Sequence, residues 1–199
     1  MPKRAPAATI TGVNVYLRPP RLSDAVAFRA GVRASAALHR GWTSAPETPA
    51  RFARFVQRYA GRGKLPKHAG FLVFRREDDA LVGVYNFSEI VRGAFQSAFL
   101  GYFAFAPLAG QGLMTEGLAA ALDIAFRKLK LHRVEVNIQP TNARSLALAT
   151  RLGFTREGYS RRYVKISGRW RDHVRFAMLA EDWRTLRRGF RFAPRKVSR

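Results

Sequence analysis

A strand, a proline, two glycines and a helix follow one another directly between residues 95 and 129, and this succession constrains the fold most. Residues 95–107, FQSAFLGYFAFAP, are apolar and aromatic like a strand and stop at Pro107. A helical pattern over about 113–129 follows, and HRVEVNIQP at 132–140 alternates as a strand does. Two strands joined through a helix need a crossover and lie parallel in one sheet. The segment therefore predicts a sheet that contains a parallel pair.

The remaining strands can pair as hairpins, so the predicted sheet is mixed. The predicted strands are 8–20, two strands from residue 70 joined by a polar turn at 77–79, 95–107, 132–140, 155–166 and 170–179. The predicted helices are about 24–38, 49–60, 113–129 and 141–153. The fold class is therefore α/β (mixed α+β), with about seven strands flanked by about four helices.

The chain length of 199 residues suits a single domain with terminal extensions. We expect a flexible N-terminus at 1–7, one domain over 8–183, and a basic tail at 184–199. The N-terminal sequence has no apolar signal-peptide core, and no apolar run approaches the ~18–20 residues of a membrane helix. These observations predict a cytoplasmic protein without membrane contact.

The chain contains no cysteine, which excludes disulfides, thiolate zinc sites and a cysteine nucleophile. The histidines have no close-spaced pair, and each is expected to be an ordinary surface or hydrogen-bonded side chain. They are His39, His68, His132 and His173. We therefore expect no metal site.

Charge is the strongest compositional signal, with 36 basic and 13 acidic residues and a formal net charge of +23. Such a surface attracts polyanions: nucleic acid, anionic lipid or a phosphate-rich cofactor. The basic residues are densest in RTLRRGFRFAPRKVSR, residues 184–199, which contain no acid. Two interpretations stay open: a solvated tail in an arginine-rich chain, or an electrostatic contact with RNA or a ribosome.

The two glycines stand between the end of a strand and the start of a helix. There the first backbone N–H groups lack intrahelical acceptors, and the helix dipole adds about half a positive charge. Gly110 and Gly112 allow positive φ and leave no Cβ in the way of an anion. The pattern is neither a Walker motif, since no Lys-Ser/Thr follows, nor a Rossmann fingerprint, since a third glycine is missing. Locally, a plain turn and a phosphate-binding loop are equally good interpretations.

Four longer segments resemble the GCN5-related N-acetyltransferases (GNAT). They are NFSEIVRGAFQSAFLGY, GQGLMTEGL, RVEVNIQPTNARSLALATRLGFTREG and SGRWRDHVRFAML. Within that superfamily the chain is similar to the ribosomal-protein-alanine acetyltransferases of the RimJ/RimL group, RimJ most of all. The resemblance covers about residues 8–183. It implies a mixed sheet that splays open after the 95–106 strand and holds acetyl-CoA, as cosubstrate, in the cleft.

The resemblance also implies which residues contact the cofactor. The pyrophosphate is expected on backbone amides from Gly110 to Met114, while Asn142 and Ser145 match an N-x-x-S motif that reaches the pantetheine end. The expected cofactor-binding residues are Phe103, Phe105, Gly110, Gln111, Gly112, Leu113, Met114, Asn142 and Ser145. The family often has Gln or Arg three residues before the first glycine, where this chain has Pro107.

Amide formation from acetyl-CoA needs a neutral amine and a polarised thioester carbonyl. An N-terminal α-amine has a pKa of about 7.7–8.0, against about 10.4 for lysine, so a weak base acting through water suffices and no histidine base is required. Backbone N–H donors stabilise the developing oxyanion. Without cysteine, we expect direct transfer in a ternary complex. The tyrosine frequent in the superfamily falls at Ala149, so either Ser145 or Tyr159 protonates the thiolate or the thiolate leaves without a general acid.

Elimination among the carboxylates leaves four candidates for the base. Glu135, on the polar face of the strand beside the expected cleft, is the first choice, with an arginine salt bridge as its alternative role. Asp172 is the second choice, with shaping of the peptide site as its alternative role. Glu116 suits the first turn of its helix and is assigned a structural role, and Glu89 could bind the substrate amine.

The favoured function is acetylation of a protein N-terminus, with an alanine-starting ribosomal protein as acceptor. Acetylation of a small-molecule amine or a lysine is an alternative, and a ribosome- or RNA-binding protein on the same fold is another. A net charge of +23 repels polycationic small molecules, which disfavours that alternative. The expected partners are a protein N-terminus and, electrostatically, the ribosome or its RNA. The protein itself is expected to be a monomer or homodimer.

Overall fold

The computed structural model describes residues 10–60 and 66–191. Its strands are β1 (Ile10–Thr11), β2 (Val15–Arg18), β3 (Ala69–Arg75), β4 (Leu81–Val91), β5 (Ser97–Ala104), β6 (Arg133–Ile138), β7 (Thr155–Ile166) and β8 (Arg169–Leu179). Its α-helices are α1 (Ala25–Ala34), α2 (Ala36–His39), α3 (Pro49–Tyr59), α4 (Leu113–Asp123), α5 (Ala143–Arg151) and α6 (Ala180–Leu186). The predicted flexible segment 1–7 and residues 192–199 of the predicted tail lie outside the described residues.

The eight strands form one mixed sheet in the order β1-β2-β3-β4-β5-β6-β8-β7. Neighbouring strands are antiparallel except β5 and β6, which are parallel. The predicted mixed α/β fold is confirmed, and the parallel pair is the one that the strand–helix–strand pattern indicates. None of the described helices is both long and apolar enough to cross a membrane.

The parallel pair stays together over only three residues of each strand. Residues 97–99 pair with 133–135, after which β5 continues to Ala104 and β6 to Ile138 without pairing to each other. The C-terminal halves of these two strands therefore diverge. Because α4 and α5 begin just beyond the diverging ends, both helix N-termini lie at the open end of the sheet.

Two apolar cores cover the two faces of the sheet, as alternating strands require. Tyr16 faces one core, while its neighbours Val15 and Leu17 face the other. The first core receives α4, α5 and α6, through buried residues that include Leu118, Leu122, Ala149, Leu152 and Trp183. The second receives α1 and α3, through Phe28, Val32, Phe52, Phe55 and Val56.

The first predicted strand, 8–20, is wrong as a single element. The chain turns at 12–14 and returns as β2, antiparallel to β1. The carboxylate of Glu116 accepts hydrogen bonds from the backbone N–H groups of Asn14 (2.7 Å) and Val15 (3.3 Å), and from the Asn14 side chain (3.0 Å). A residue about a hundred positions away therefore holds this turn.

The predicted helix 24–38 is likewise interrupted, at Ser35 between α1 and α2. The Ser35 hydroxyl donates to the Gly31 carbonyl at 2.6 Å and accepts from the backbone N–H of Ala106 at 2.8 Å. Ala106 follows β5, so this bond ties α2 to the end of the diverging strand. The tie positions the last residue of α2, His39, against the sheet.

The first part of the predicted basic tail continues α6 and then packs on the domain. Phe190 lies against buried Trp183, with ring centroids 5.5 Å apart. The Arg187 guanidinium donates to the buried carboxylate of Asp123. Residues 184–191 are therefore held by an aromatic contact and an ion pair.

Candidate active site

The diverging strands open a cleft of about 1320 Å³. Its floor is the C-terminal halves of β5 and β6, and its ends are the N-termini of α4 and α5. Residues of α2, the segment after it, and the β7–β8 hairpin line the rest. The cleft therefore draws on segments from most of the chain.

The paired glycines occupy the end of the cleft where α4 begins. Gly110 and Gly112 have φ of 84° and 77°, values that favour glycine, and both line the cleft. A Cβ at either position would meet nothing within 4 Å and would project into open space. Gly112 is the N-cap residue of α4, so the free N–H groups of the first turn and the positive end of its dipole lie here. The loop can thus bind an anion closely through its backbone.

The other expected loop residues are divided between the cleft and the interior. Met114 lines the cleft, and its carbonyl accepts a hydrogen bond from the fully buried Tyr85 hydroxyl. Leu113 is buried in the core, and the Gln111 amide turns back on the loop, 3.4 Å from the Pro107 carbonyl. Of these three residues, Met114 alone lines the cleft, while Gln111 and Leu113 can contribute their backbone.

Asn142 and Ser145 form the opposite end of the cleft, where α5 begins. The Asn142 side-chain oxygen accepts from the Ser145 N–H at 3.2 Å and caps the helix. The Tyr102 hydroxyl of β5 donates to the Ser145 carbonyl at 3.1 Å, across the gap between the strands. Burial raises the pKa of Tyr102, so its hydroxyl stays protonated as a donor. This bridge fixes α5 relative to β5.

The aromatic residues expected at the cofactor lie on the two sides of the cleft wall. Phe103 lines the cleft and meets the His39 ring edge-on, with centroids 5.2 Å apart. Phe105 is buried in the second core, with its ring centroid 5.5 Å from that of Phe28. Phe105 therefore supports Phe103, at a centroid distance of 5.8 Å, and does not line the cleft.

The carboxylates proposed as bases lie beside the cleft and are bound by other groups. The Glu135 carboxylate accepts from Arg133 at 2.8 Å and lies 3.9 Å from the Arg175 guanidinium. The Asp172 carboxylate accepts from the Tyr159 hydroxyl at 2.6 Å and from a backbone N–H at 2.7 Å, and these bonds lower its pKa. Among the described residues that line the cleft, none is Asp or Glu. The catalytic roles of Glu135 and Asp172 stay predictions.

Two histidines that the sequence did not single out do line the cleft. His39 Nε2 lies 2.8 Å from the carbonyl oxygen of Ala104, and its Nδ1 is buried without a partner. His173 Nδ1 lies 3.0 Å from the carbonyl oxygen of Arg171, and burial lowers the pKa of its ring. The residues next to each histidine in the sequence form no site motif. His39 belongs to α2 and His173 to β8, and the fold brings these two distant elements to the same cleft.

Two asparagines of the strands also line the cleft and were missed. Asn86 of β4 and Asn137 of β6 each keep a buried side-chain oxygen without a hydrogen-bond partner. Asn86 pairs with Gly70 on one side and Gly101 on the other. A Cβ at Gly101 would meet nothing within 4 Å, so the floor beside Asn86 is open. For Asn86, a polar residue in the apolar run LVGVYNF was a signal that could have found it. Asn137 is one of three alternating polar residues of β6, and this pattern did not distinguish it.

Two arginines also line the cleft. Arg144 lies at the start of α5, whereas Arg151, the last residue of α5, donates to the Thr115 hydroxyl in the first turn of α4 at 3.3 Å and so lies near the glycines. Residues 10–60 and 66–191 hold no cluster of three or more His, Asp or Glu that could bind a metal. The glycine cradle, the α4 N-terminus and the two arginines therefore fit a pyrophosphate-containing cofactor.

Comparison with known proteins agrees with this geometry. Residues 14–155 match the family model for the acetyltransferase (GNAT) domain. A Bacillus subtilis (strain 168) protein named "Probable N-acetyltransferase YjcK" is 39% identical over 127 residues, 64% of this chain and 70% of that protein. The ribosomal protein uS5-alanine N-acetyltransferase of Escherichia coli (strain K12) is 43% identical over 113 residues, 57% of this chain and 58% of that enzyme. The match thus spans just over half the length of the latter relative.

Solved structures show the same fold. Mycobacterium smegmatis RimJ in complex with CoA-disulfide superposes with a TM-score of 0.79 at 28% identity and covers 88% of each chain. The ribosomal-protein-S5-alanine acetyltransferase of Vibrio fischeri gives a TM-score of 0.76 at 24% identity, over 85% of this chain and 95% of that one. The second likeness is one of fold alone.

Proposed function

Since the chain belongs to the GNAT acetyltransferase family, we propose that it transfers the acetyl group of acetyl-CoA to the N-terminal α-amine of a ribosomal protein. The observation that carries the proposal is the glycine cradle at the N-terminus of α4, which opens on the cleft between β5 and β6. The acceptor class is supported by the Escherichia coli relative that is named for ribosomal-protein alanine acetylation. We place the reaction in the cytoplasm, where ribosomal proteins are made.

The cleft residues divide into a cofactor end and an acceptor end. Gly110, Gly112 and the first turn of α4 would hold the pyrophosphate, with Arg151 nearby as a cation. Acetyl-CoA supplies an activated acyl group as a thioester. On the other side, the unpartnered oxygens of Asn86 and Asn137 are acceptors that suit the N–H groups of an amine or peptide.

The test uses a peptide that begins with alanine and contains one internal lysine. With acetyl-CoA and the purified protein, we expect acetylation of the α-amine and not of the lysine, as located by fragment mass spectrometry. The same peptide with a blocked N-terminus is the control. Ribosomal-protein N-termini from cells with and without the protein then identify the acceptor. Unmodified peptide and unchanged N-termini would sink the proposal.

A second property, contact with ribosomal RNA, is favoured by the hairpin of β7 and β8. Trp170 and Tyr159 are 59% and 50% exposed, and Lys165 lies directly opposite Trp170. The hairpin is rich in basic side chains: Arg156, Arg161, Arg162, Lys165, Arg169, Arg171 and Arg175. Exposed rings beside basic groups suit stacking on bases and contact with phosphates.

The RNA contact predicts salt-sensitive binding to ribosomal subunits. Each phosphate contact to single-stranded RNA contributes about −0.7 to the slope of log K against log salt. Trp170→Ala should weaken binding by about 1–3 kcal/mol of stacking. Phe95→Ala, at a ring 72% exposed outside the hairpin, is the matched control. Equal binding by the two variants would remove the hairpin from the contact.

A further inference from the structure

We infer that His173 accepts the proton that the acceptor's α-amine loses during acetyl transfer. His173 lies on β8, is 3% exposed as a residue, and lines the same cleft as the glycine cradle. The inference rests on the proposed function, because it assigns a role within that reaction. It replaces a carboxylate base with a group that lies in the cleft wall.

The hydrogen bond to Arg171 determines the form of the ring. A carbonyl oxygen only accepts, so the Nδ1 that lies 3.0 Å from it carries the hydrogen. In a neutral imidazole the lone pair is then on Nε2, which is the basic atom. Burial disfavours the charged ring and lowers its pKa, so the ring is neutral before the reaction. His173 is thus held in the tautomer that a base needs.

Burial keeps the ring neutral at rest, although charged and titratable groups surround it. Arg171 and Arg175 share its strand face, and the neighbouring Asp172 carboxylate favours the charged ring without reversing the effect of burial. From β7, the Tyr163 ring lies 6.0 Å away between centroids. Across the same cleft are His39 on α2 and Arg144 at the start of α5. Burial outweighs the Asp172 carboxylate and disfavours a lasting imidazolium, so His173 holds the accepted proton only transiently.

The other candidate bases are less suitable for geometric reasons. The Glu135 carboxylate lies outside the cleft lining and is held by Arg133. Asp172 is occupied by the Tyr159 hydroxyl and a backbone N–H. His39 donates through Nε2, which leaves Nδ1 as its basic atom, and that atom is buried within the protein.

The proposed step is balanced without another reactant. The amine nitrogen bonds to the acetyl carbonyl carbon, which makes the nitrogen acidic. The proton on nitrogen passes to His173 Nε2, the carbon–sulfur bond breaks, and sulfur leaves with the electron pair as thiolate. His173 returns to the neutral form by releasing the proton to the thiolate or to solvent.

The experiment compares His173→Asn with wild type in acetylation of the alanine peptide across pH. Asparagine keeps an N–H near the Nδ1 position for the Arg171 carbonyl but has no counterpart of Nε2. We expect kcat to fall about 10²- to 10⁴-fold, the usual contribution of a general base, with little change in acetyl-CoA binding. His132→Asn is the matched control, because His132 is exposed, pairs with Glu181 at 3.1 Å and does not line the cleft.

The pH profile distinguishes a base from a structural residue. The free α-amine alone makes log kcat/KM fall with a slope of one below about pH 8. A required neutral His173 adds a second proton, so the wild-type slope should steepen toward two once the pH falls below the His173 pKa, which burial places below the ordinary 6.5. The His173→Asn slope should stay at one.

Three results would overturn the inference: a wild-type slope of one throughout, wild-type kcat in His173→Asn, or a variant that is slow but keeps the steeper slope. The wild-type profile decides the question even if the variant fails to fold, as thermal unfolding would reveal. A wild-type protein that acetylates no peptide would instead overturn the proposed function, and this inference with it.

Discussion

Replacing Gly112 by alanine tests whether the loop acts through its backbone. Gly112 has a φ of 77°, and a Cβ there meets nothing within 4 Å. A left-handed backbone costs alanine about 1–2 kcal/mol, which lowers Tm by roughly 2–8 °C in a chain of this size. Gly168→Ala is the matched control, because Gly168 has a φ of 82°, equally open space, and lies in the β7–β8 turn. The two variants should therefore lose similar stability without cofactor.

Acetyl-CoA should separate these two variants. At a hundred times Kd, the cofactor stabilises the folded state by about 2.7 kcal/mol. The Gly112→Ala methyl would keep a phosphate from one charge-assisted N–H bond, worth about 1.5–3 kcal/mol, and weaken binding roughly 10- to 150-fold. At the same concentration the remaining stabilisation is about 0.3–1.4 kcal/mol, so the thermal shift falls to between about a tenth and a half of the control's. Differential scanning fluorimetry with a cofactor titration measures this, and equal shifts in both variants would refute the cradle.

Three further predictions concern stability. Glu116→Gln should lower the free energy of unfolding by about 2–3 kcal/mol, because a neutral amide cannot replace the carboxylate that accepts three hydrogen bonds from Asn14 and Val15. An unchanged Tm would contradict this. Asp123→Ala should cost about 3 kcal/mol of stability, because it removes the ion pairs of this buried carboxylate with Arg187 and Arg127. Hydrogen exchange should then rise first over 180–191, and uniform exchange would contradict the role of the Arg187 pair. Burial and then an aspartate hydrogen bond raise the pKa of Tyr16 to about 12, so its contribution to stability is complete below about pH 10 and lost as the pH rises toward 12. Urea unfolding of Tyr16→Phe should show a smaller alkaline loss than wild type, and equal losses would exclude Tyr16 as a cause.

Local pattern was sufficient for the regular elements and failed where distant groups intervene. The glycine loop and the crossover helix are contiguous in sequence, so the helical spacing of their apolar residues and the positions of the proline and glycines were enough to predict them. The prediction of a single strand over 8–20 was wrong because the Glu116 carboxylate holds a turn at 12–14. The prediction of an uninterrupted helix over 24–38 was wrong because the Ser35 hydroxyl accepts a hydrogen bond from Ala106, which lies 71 positions away. Neither hydrogen bond has a signature in the residues that it reshapes.

The choice of base shows the same limit in the candidate site. Elimination treated Glu135 and Asp172 by their strand positions. Glu135 is instead bound by Arg133, two residues away on the same strand, which is the salt bridge expected as its alternative role, and Asp172 by Tyr159, which the β7–β8 pairing brings close. His39 and His173 were set aside because nothing near them in sequence resembles a site. They meet in one cleft because Ser35 redirects α2 and the β7–β8 hairpin returns to the sheet beside β6.

The two ends of the cleft should therefore respond differently to substitution. In the proposed function the cofactor end would bind through the backbone of residues 110–114, so most side-chain changes there should leave its geometry intact. The acceptor end is assembled from side chains on four separate elements, α2, β4, β6 and β8, and each can change without disturbing the loop. It follows that Asn86→Ala or Asn137→Ala should raise KM for the peptide while the acetyl-CoA thermal shift stays at the wild-type value. A loss of both together would mean that the two ends are one site, and the division between cradle and acceptor pocket would be wrong.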